Sequence, residues 1–373
     1  MKSDIKLELL NQITYHKAVI QYLIWRADGQ ALLIAYNDST IGILENTSLD
    51  IWRLKELSCK SHGCDQVLWV YLNNTLFTPH ILIASSYMNN GPTKLILTDV
   101  MTKQVLCDVK CSVKVLRGNG IIIYQNYVLV IGINSELHLY QIVKTNANRN
   151  YQMNAGNSGL AFKRIHVFTT EVSNSTLALN SVWHRNFVSV ATISSDGYLY
   201  IAVNEYTIQT YDIKNIADGP IQQIEVESKQ KGFIRSIKCI PTKNNLLISL
   251  HTGLIMIIDR STGKAIWEKF LPTVISEPIS KLSSLVQHCE ASDSLAFHLI
   301  GFGLPDCSPD GRFIACGVSI EGKGQVVLWD LSSKTRKIGY TNTSSLPYIV
   351  SFNHSYNLLA ESSRLHGIWA FHY

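Results

Sequence analysis

The chain has 373 residues, of which 46 % are apolar and 16 % are charged, and its formal net charge is +5. This apolar content allows a large core, and the lysines and arginines are scattered, which argues against a basic stripe that would follow a phosphate backbone. The first ten residues carry charges throughout and no apolar run approaches the roughly 18 residues of a membrane span, so we expect neither a signal peptide nor a transmembrane helix.

The first predicted element is the apolar segment 5–13, IKLELLNQI. Seven later segments then share one pattern, a strand that closes on an aromatic or aliphatic residue and is often followed by Asp. In chain order they lie at 39–44, 93–100, 135–142, 206–213, 253–260, 324–331 and 366–373. A second apolar strand precedes each of them, and the repetition predicts a series of similar small sheets.

Tight turns separate the second strand of each repeat from a first strand. They include Arg26–Gly29 and Ser194–Gly197, and the clearest copy runs from Ser308 to Leu331, with Ser-Pro-Asp-Gly leading into one strand and Trp329-Asp330 ending the next. This turn chemistry, together with alternating apolar residues, is typical of consecutive antiparallel strands. Each repeat therefore predicts one four-stranded antiparallel sheet.

The Ser-Pro-Asp-Gly turn with Trp329-Asp330 resembles the WD40-repeat family, and Tyr211-Asp212 and Ile258-Asp259 are weaker matches. The Gly-His pair that the family places between blades is missing. The resemblance implies an all-β fold, a seven-bladed β-propeller formed as a single domain over residues 1–373. The expected blades span 14–57, 65–109, 113–168, 183–226, 233–270, 296–340 and 346–373, the last completed by 5–13.

The end of the chain explains why an N-terminal strand is expected in the last blade. Tyr373 follows the third strand of blade seven directly, so no later residues can supply an outer strand. We predict that 5–13 pairs beside Gly367–Phe371 and closes the ring, which removes an exposed sheet edge. The alternative is a frayed N-terminal tail.

Two insertions interrupt the regular spacing. Residues 144–158 are polar and rich in Asn, which predicts a loop in blade three. Residues 272–292 place Ile279, Leu282 and Val286 at helical spacing, which predicts a short amphipathic helix. That helix could lie against the propeller wall or serve as a docking element for a partner.

No motif in the sequence predicts a metal, cofactor or catalytic site. Cys59, His62 and Cys64 offer three soft ligands, but zinc usually takes four, so ordinary loop residues are expected. The phrase from Asp259 to Trp267 resembles the blade motif of quinoprotein dehydrogenases, yet it occurs once, whereas those enzymes repeat it. The eight cysteines lie at irregular spacings, several within predicted strands, which predicts buried thiols in the reducing cytoplasm or nucleus.

We therefore expect a non-catalytic scaffold for protein–protein interaction, a monomeric propeller that acts as one subunit of a hetero-complex and binds partner peptides or domains through its face and loops. The expected partner-binding residues lie in loops between second and third strands or between blades: Tyr87, Met88, Asn89, Asn204, Tyr206, His251, Glu321 and Arg364. Aromatic and Arg side chains among them are favoured interface anchors. The alternatives are a nucleic-acid-associated propeller subunit and a quinoprotein-like enzyme.

Overall fold

A computed structural model describes the chain over residues 6–13, 20–36, 38–48, 51–58, 63–72, 80–86, 93–113, 115, 120–132, 136–144, 159–169, 191–203, 206–228, 234–250, 252–271, 303–320, 323–333, 336–343, 349–353, 355, 358–361 and 366–372. It divides the chain into two compact units, Lys17–Glu171 and Met1–His16 with Val172–Tyr373. The predicted insertions at 144–158 (apart from Lys144) and 272–292 lie outside the described residues.

Strands are numbered along the chain, beginning with β1 (Lys6–Ile13), which belongs to the second unit. The first unit contains β2 (Ile20–Trp25), β3 (Ala31–Tyr36), β4 (Thr40–Ser48), β5 (Ile51–Ser58), β6 (Gly63–Val70), β7 (His80–Ser86), β8 (Thr93–Asp99), β9 (Val105–Lys110), β10 (Ile121–Tyr124), β11 (Tyr127–Ile131), β12 (Glu136–Lys144) and β13 (Leu160–Thr169). They form three antiparallel sheets in sequential order, β2–β5 as blade one, β6–β9 as blade two and β10–β13 as blade three.

The second unit holds the remaining strands. They are β14 (Ala191–Ile193), β15 (Tyr198–Ala202), β16 (Thr207–Asp212), β17 (Gln222–Glu225), β18 (Ile234–Cys239), β19 (Asn245–Leu250), β20 (Leu254–Asp259), β21 (Ala265–Phe270), β22 (Asp306–Cys307), β23 (Phe313–Ile320), β24 (Lys323–Asp330), β25 (Arg336–Thr343), β26 (Val350–Phe352), β27 (Leu358–Glu361) and β28 (His366–His372). Short 3₁₀ segments at Ile213–Asp218 and Leu331–Ser333 follow β16 and β24.

These strands form blade four (β14–β17), blade five (β18–β21), blade six (β22–β25) and blade seven (β26–β28 with β1). The described residues thus contain seven four-stranded antiparallel sheets, three in the first unit and four in the second. The predicted all-β fold of the propeller type, with four-stranded antiparallel blades, is confirmed.

The N-terminal strand supplies the fourth strand of the last blade. β1 runs antiparallel to β28, with Lys6 opposite His372 and Ile13 opposite His366. The predicted pairing of 5–13 beside Gly367–Phe371 is confirmed over the described residues. Because β1 covers the edge of β28, that edge is not left open for another chain.

Second and third strands are largely buried and form the cores of the blades. All six residues of β3 are buried, and β20 is buried from Leu254 to Ile258. Within each unit, apolar clusters join successive blades, such as the one in which Ile314 and Trp329 of blade six pack with Ile257 of blade five. β-Branched and aromatic residues dominate these strands because they suit a pleated, packed surface.

The predicted turns between first and second strands are confirmed. In each, a glycine amide donates to the carbonyl three residues earlier: Gly29 to Arg26 at 2.8 Å, Gly197 to Ser194 at 3.0 Å and Gly311 to Ser308 at 2.8 Å. All three glycines have positive φ, 73°, 93° and 64° in that order, which other residues rarely adopt. The need for a positive φ at the last turn residue explains the Asp-Gly pairs in the sequence.

Outer strands carry a recurrent irregularity that the sequence did not predict. In β9, β13, β21 and β25 the pairing with the third strand shifts by one residue, and the extra residue is Leu106, Ile165, Ile266 and Ile338 respectively. A bulge of this kind increases the local twist and turns the edge of the sheet. The repeated placement of an aliphatic residue there is a structural signature of this chain.

Candidate protein-interaction surfaces

Tyr206 is the one predicted partner-binding residue within the described part of the chain. It is half-buried in the loop between β15 and β16, and its carbonyl accepts a hydrogen bond from the Val226 N–H at 2.7 Å. The start of β14 pairs with the end of β15, so Tyr206 lies at the end of blade four where the first strand begins. The other predicted residues lie outside the described ranges: Tyr87, Met88, Asn89, Asn204, His251, Glu321 and Arg364.

First strands are irregular at this same end of the blade. Their pairing with second strands shifts at Gln21 in β2, at Asp65 in β6 and at Arg235 in β18. Bulges re-aim side chains and are common beside functional sites. The Arg235 side chain nevertheless points into the protein. It is 5 % exposed and its Nη1 donates to the Gly303 carbonyl at 3.5 Å, and burial lowers the pKa of Arg235 to about 10.

Polar contacts join the first strands of successive blades, and Asp306 is the centre of one set. Its carboxylate accepts from the Lys238 ammonium of blade five and from the backbone N–H of Phe352 in blade seven, the latter at 2.9 Å. Asp306 is 3 % exposed, and its contact with Phe352 is buried, whereas its contact with Lys238 is partly buried. One carboxylate therefore connects three blades of the second unit.

Other blades are joined by side-chain contacts of different chemistry. The Gln66 amide makes two hydrogen bonds with the backbone of Ile121, at 3.0 Å to its carbonyl and 2.9 Å from its N–H, which link blades two and three. The Trp69 indole N–H donates to the Ile24 carbonyl at 3.1 Å between blades two and one. Sequence reasoning missed these links. The only signal was a polar residue within an apolar strand, as at Gln66.

The Asp that recurs at the end of third strands caps the turn that follows. Asp99 accepts from the N–H groups of Met101 at 2.8 Å and Thr102 at 2.7 Å, and Asp259 accepts from Ser261 and Thr262, each at 2.9 Å. Asp212 and Asp330 accept from the N–H two residues later, at 2.9 Å and 2.8 Å. Hydrogen bonds, first that of the Thr102 N–H, hold the pKa of Asp99 below its ordinary value. This part of the repeat is therefore a turn signal.

The segment from Asp259 to Trp267, which resembles a quinoprotein motif, contributes to packing between blades. Trp267 on β21 contacts Trp329 on β24 edge to face, with ring centroids 6.3 Å apart. Both belong to the apolar cluster that joins blades five and six. Aromatic pairs in this geometry stabilise a core beyond the area that they bury.

The described cysteines are buried free thiols. They are Cys64, Cys107, Cys111, Cys239, Cys307 and Cys316. Burial raises the pKa of Cys239 and of Cys316 to about 12, so these thiols stay protonated at neutral pH. Nowhere in the described ranges do three His, Cys, Asp or Glu side chains come together as a metal ion would need.

Among the described residues, most of the large apolar side chains that face solvent lie on outer strands or directly before them. Large apolar residues exposed on these strands or directly before them are Val105, Ile165, Val167, Ile221, Ile266 and Phe270. Ile266 is 59 % exposed and Ile165 is 44 % exposed, and both occupy bulge positions. Single exposed apolar residues are ordinary on protein surfaces, so the feature that stands out is the recurrence of such residues at outer-strand bulges.

Comparison with known proteins assigns no family to this chain. No protein-family model matches this sequence, and none of the curated proteins matches it significantly. Among the described residues, no helix has the length and apolar content that crossing a bilayer requires.

Proposed function

We propose that this protein is a non-catalytic scaffold that binds other proteins and acts as a subunit of a larger assembly. The observation that carries the proposal is the exposure of aliphatic side chains on outer strands, above all Ile165 and Val167 on β13 and Ile266 on β21. Strands hold such residues in fixed positions, which lowers the entropy cost of binding compared with a flexible loop.

The contacts between first strands support this proposal, because a scaffold must keep its surfaces in place. Asp306 connects three blades through Lys238 and Phe352, and Gln66 connects two more through Ile121. Buried polar contacts that are fully satisfied favour a single arrangement of the elements they join. A β-propeller fold commonly serves in this way.

We further propose that the blades form one closed seven-bladed propeller of the WD40 type, in a single domain. The pairing of β1 with β28 supports this, as do the Asp-capped turns after the third strands of blades two, four, five and six. In such a propeller, the loops that contain Tyr206, Arg364 and the other predicted residues share one face, which would be a second partner site.

The proposal also states that the chain is not an enzyme and that it resides in the cytoplasm or nucleus. The recurrent carboxylates, such as Asp99 and Asp259, are occupied by turn hydrogen bonds, which supports a chain that is not an enzyme. The buried free thiols support residence in the reducing cytoplasm or nucleus. Metal analysis and absorbance spectra of the purified protein would reveal a bound cofactor and so contradict the first part.

Affinity purification from cells at near-physiological salt, followed by mass spectrometry, tests the scaffold proposal. We expect stable protein partners with the wild-type chain and fewer with a variant that carries both Ile165→Glu and Ile266→Glu. The matched control is Lys214→Glu, an exposed position away from the outer strands. Recovery of no stable partner, or of nucleic acid alone with a steep dependence on salt, would contradict the proposal.

A further inference from the structure

The turns between third and outer strands of blades two and five share one backbone arrangement. The blade-two turn, residues 99–105, joins β8 to β9, and the blade-five turn, residues 259–265, joins β20 to β21. Each begins with a capping Asp whose N–H donates to the carbonyl five residues later, at 3.0 Å to Gln104 and 3.0 Å to Lys264. The pairing of the outer strand then shifts by one residue at the same place in both blades. The two turns can therefore be compared residue by residue.

Three positions of the turn differ, and in each the blade-two residue is larger. The pairs, with blade two first, are Met101 and Ser261, Lys103 and Gly263, and Val105 and Ala265. Met101 is 77 % exposed and Val105 is 52 % exposed, and Met101 is the most exposed of the large apolar residues that the structure describes. The blade-two turn thus presents two apolar side chains and one cation to solvent.

Lys103 occupies a backbone conformation that disfavours a side chain. Its φ is 58°, in the left-handed region where glycine is the usual residue, and Gly263 has a φ of 73° at the matching position. A Cβ on Gly263 would lie 2.2 Å from the Glu225 carbonyl oxygen, whereas Lys103 is exposed and has room for its side chain. The chain keeps lysine there although glycine would be less strained. Strained residues of this kind cluster at functional sites.

The backbone of the blade-two turn is held in place from two sides. The Asp99 carboxylate accepts from the N–H groups of Met101 and Thr102, at 2.8 Å and 2.7 Å. Val100 packs against the apolar cluster that joins blades one and two. A turn that is fixed in this way loses little backbone entropy when its exposed side chains bind a partner.

The charge of this turn favours a protein partner over a membrane surface. Lys103 forms no ion pair with any residue that the structure describes, whereas Lys94 on β8 contacts Asp108 at 3.0 Å. A single cation in the turn is too few for an anionic membrane, which recruits clusters of about four or more. One cation beside two apolar side chains instead complements an apolar pocket that has a carboxylate at its rim.

We infer that the blade-two turn is a docking element that enters an apolar pocket of a partner protein, with a carboxylate of that protein contacting Lys103. Met101 fills the pocket, because its unbranched thioether adapts to irregular apolar surroundings, and Val105 contacts the edge. The stem of Lys103 adds apolar contact while its ammonium pairs with the carboxylate. This inference deepens the proposed scaffold function and rests on it.

Oxidation of methionine by hydrogen peroxide tests whether the turn is covered by a partner. The chain is treated alone and within the complex purified from cells, and mass spectrometry of its peptides follows sulfoxide formation at Met101 and Met256. We expect Met101 to oxidise at least about tenfold more slowly in the complex. Met256 is fully buried, so it is the internal control and should oxidise slowly in both samples.

Glycine variants separate binding from stability. Lys103→Gly removes the ammonium and relieves the strain, so its thermal unfolding midpoint should equal or exceed that of wild type while recovery of partners falls by about tenfold. Met101→Ser, which copies the blade-five turn, should reduce recovery to a similar extent. Gln125→Gly is the matched control, because Gln125 is exposed with a φ of 55° and lies between first and second strands of blade three. It should change recovery by less than about twofold.

Equal oxidation of Met101 in the chain and in the complex would overturn the inference while the scaffold function stands. Unchanged recovery of partners with Lys103→Gly and Met101→Ser would overturn it too, as would a lower unfolding midpoint for Lys103→Gly. Protection of Met101 by vesicles of phosphatidylserine and phosphatidylcholine, or by concentrating the chain alone, would assign the turn to a membrane or to a second copy instead. If wild type recovers no partners, the proposed function itself fails, and the inference with it.

Discussion

The Lys238 ammonium donates to the Asp306 carboxylate, and this contact joins the first strands of blades five and six. Lys238 is 43 % exposed whereas Asp306 is 4 % exposed, as fractions of their side chains. The same carboxylate receives the Phe352 N–H of blade seven. Residues far apart in the sequence thus share one buried carboxylate, which contacts the first strands of three blades.

Replacement of Asp306 is expected to be costly. Asp306→Ala removes an acceptor of the buried Phe352 N–H and an ion-pair partner of Lys238, so we expect a loss of about 2 to 4 kcal/mol in the free energy of unfolding. Asp218→Ala, at an exposed position, is the control and should change it by less than about 0.5 kcal/mol. Urea unfolding measures both. Equal stability of the two variants would contradict the bridging role.

Any side chain at Gly263 is expected to lower the stability of the fold. Its φ is +73°, and an added Cβ would lie 2.2 Å from the Glu225 carbonyl oxygen of blade four. Gly219 has a similar φ of +89° but nothing within 4 Å of its Cβ position. Gly219 has ψ −171°, a region that residues other than glycine rarely adopt, so Gly219→Ala should cost about 1 to 3 kcal/mol from backbone strain alone. Gly263→Ala should cost more because the Glu225 backbone must also move. Thermal unfolding of both variants would refute the close contact if their losses were the same.

The N-terminal strand β1 is expected to stabilise blade seven, and a separate peptide of the same sequence should do so in part. Deletion of residues 1–13 removes β1 and leaves the edge of β28 open, so the truncated chain should unfold at a lower temperature and scatter more light on heating. A synthetic peptide of residues 6–13 should restore part of the stability, while a peptide of the same composition in scrambled order should not. A truncated chain as stable as the full one would show that the pairing of β1 contributes nothing.

Capped turns predict how stability depends on pH. The pKa of Asp99 is below its ordinary value of 3.8, first because of the hydrogen bond from the Thr102 N–H, and the pKa of Asp259 is lowered chiefly by Ser261. The folded state thus disfavours protonation of these groups. Their contribution is complete above the unfolded pKa and is lost as pH falls through the lower folded values.

Stability should therefore decline below about pH 4. Asp99→Asn should be less stable than wild type at pH 7, and the difference should shrink as the pH falls below the ordinary carboxyl pKa. Urea unfolding from pH 3 to pH 7 measures it, with Asp218→Asn as a control at an exposed position. A difference that stays constant over this range would show that the Asp99 carboxylate has no part in the turn.

Local patterns in the sequence were enough to predict the strands and the turns. Alternating apolar residues located the third strands, and Asp-Gly pairs located turns such as that at Gly311, because these features depend on residues close in the chain. Contacts such as Lys238 with Asp306 were not predictable, since 68 residues separate the two partners. The bulge at Ile165 was also missed, because nothing in the local pattern of β13 distinguishes an extra residue from a regular one.

The candidate surfaces were predicted less well than the fold. Loop residues such as Tyr206 were chosen because loops carry most binding sites. Exposure of Ile165 and Ile266 could not be predicted, because an outer strand and a buried strand have similar apolar sequences and differ in what packs beside them. Which face of a strand meets solvent is decided by neighbouring blades.

Hydrogen exchange of the chain, alone and within the complex purified from cells, tests the central claim most directly. If outer strands are the binding surface, the amides of β13 or β21 should exchange more slowly in the complex, while those of the buried third strands β12 and β20 should exchange at the same rate in both samples. Unchanged exchange in every outer strand, with slower exchange confined to other parts of the chain, would contradict the account.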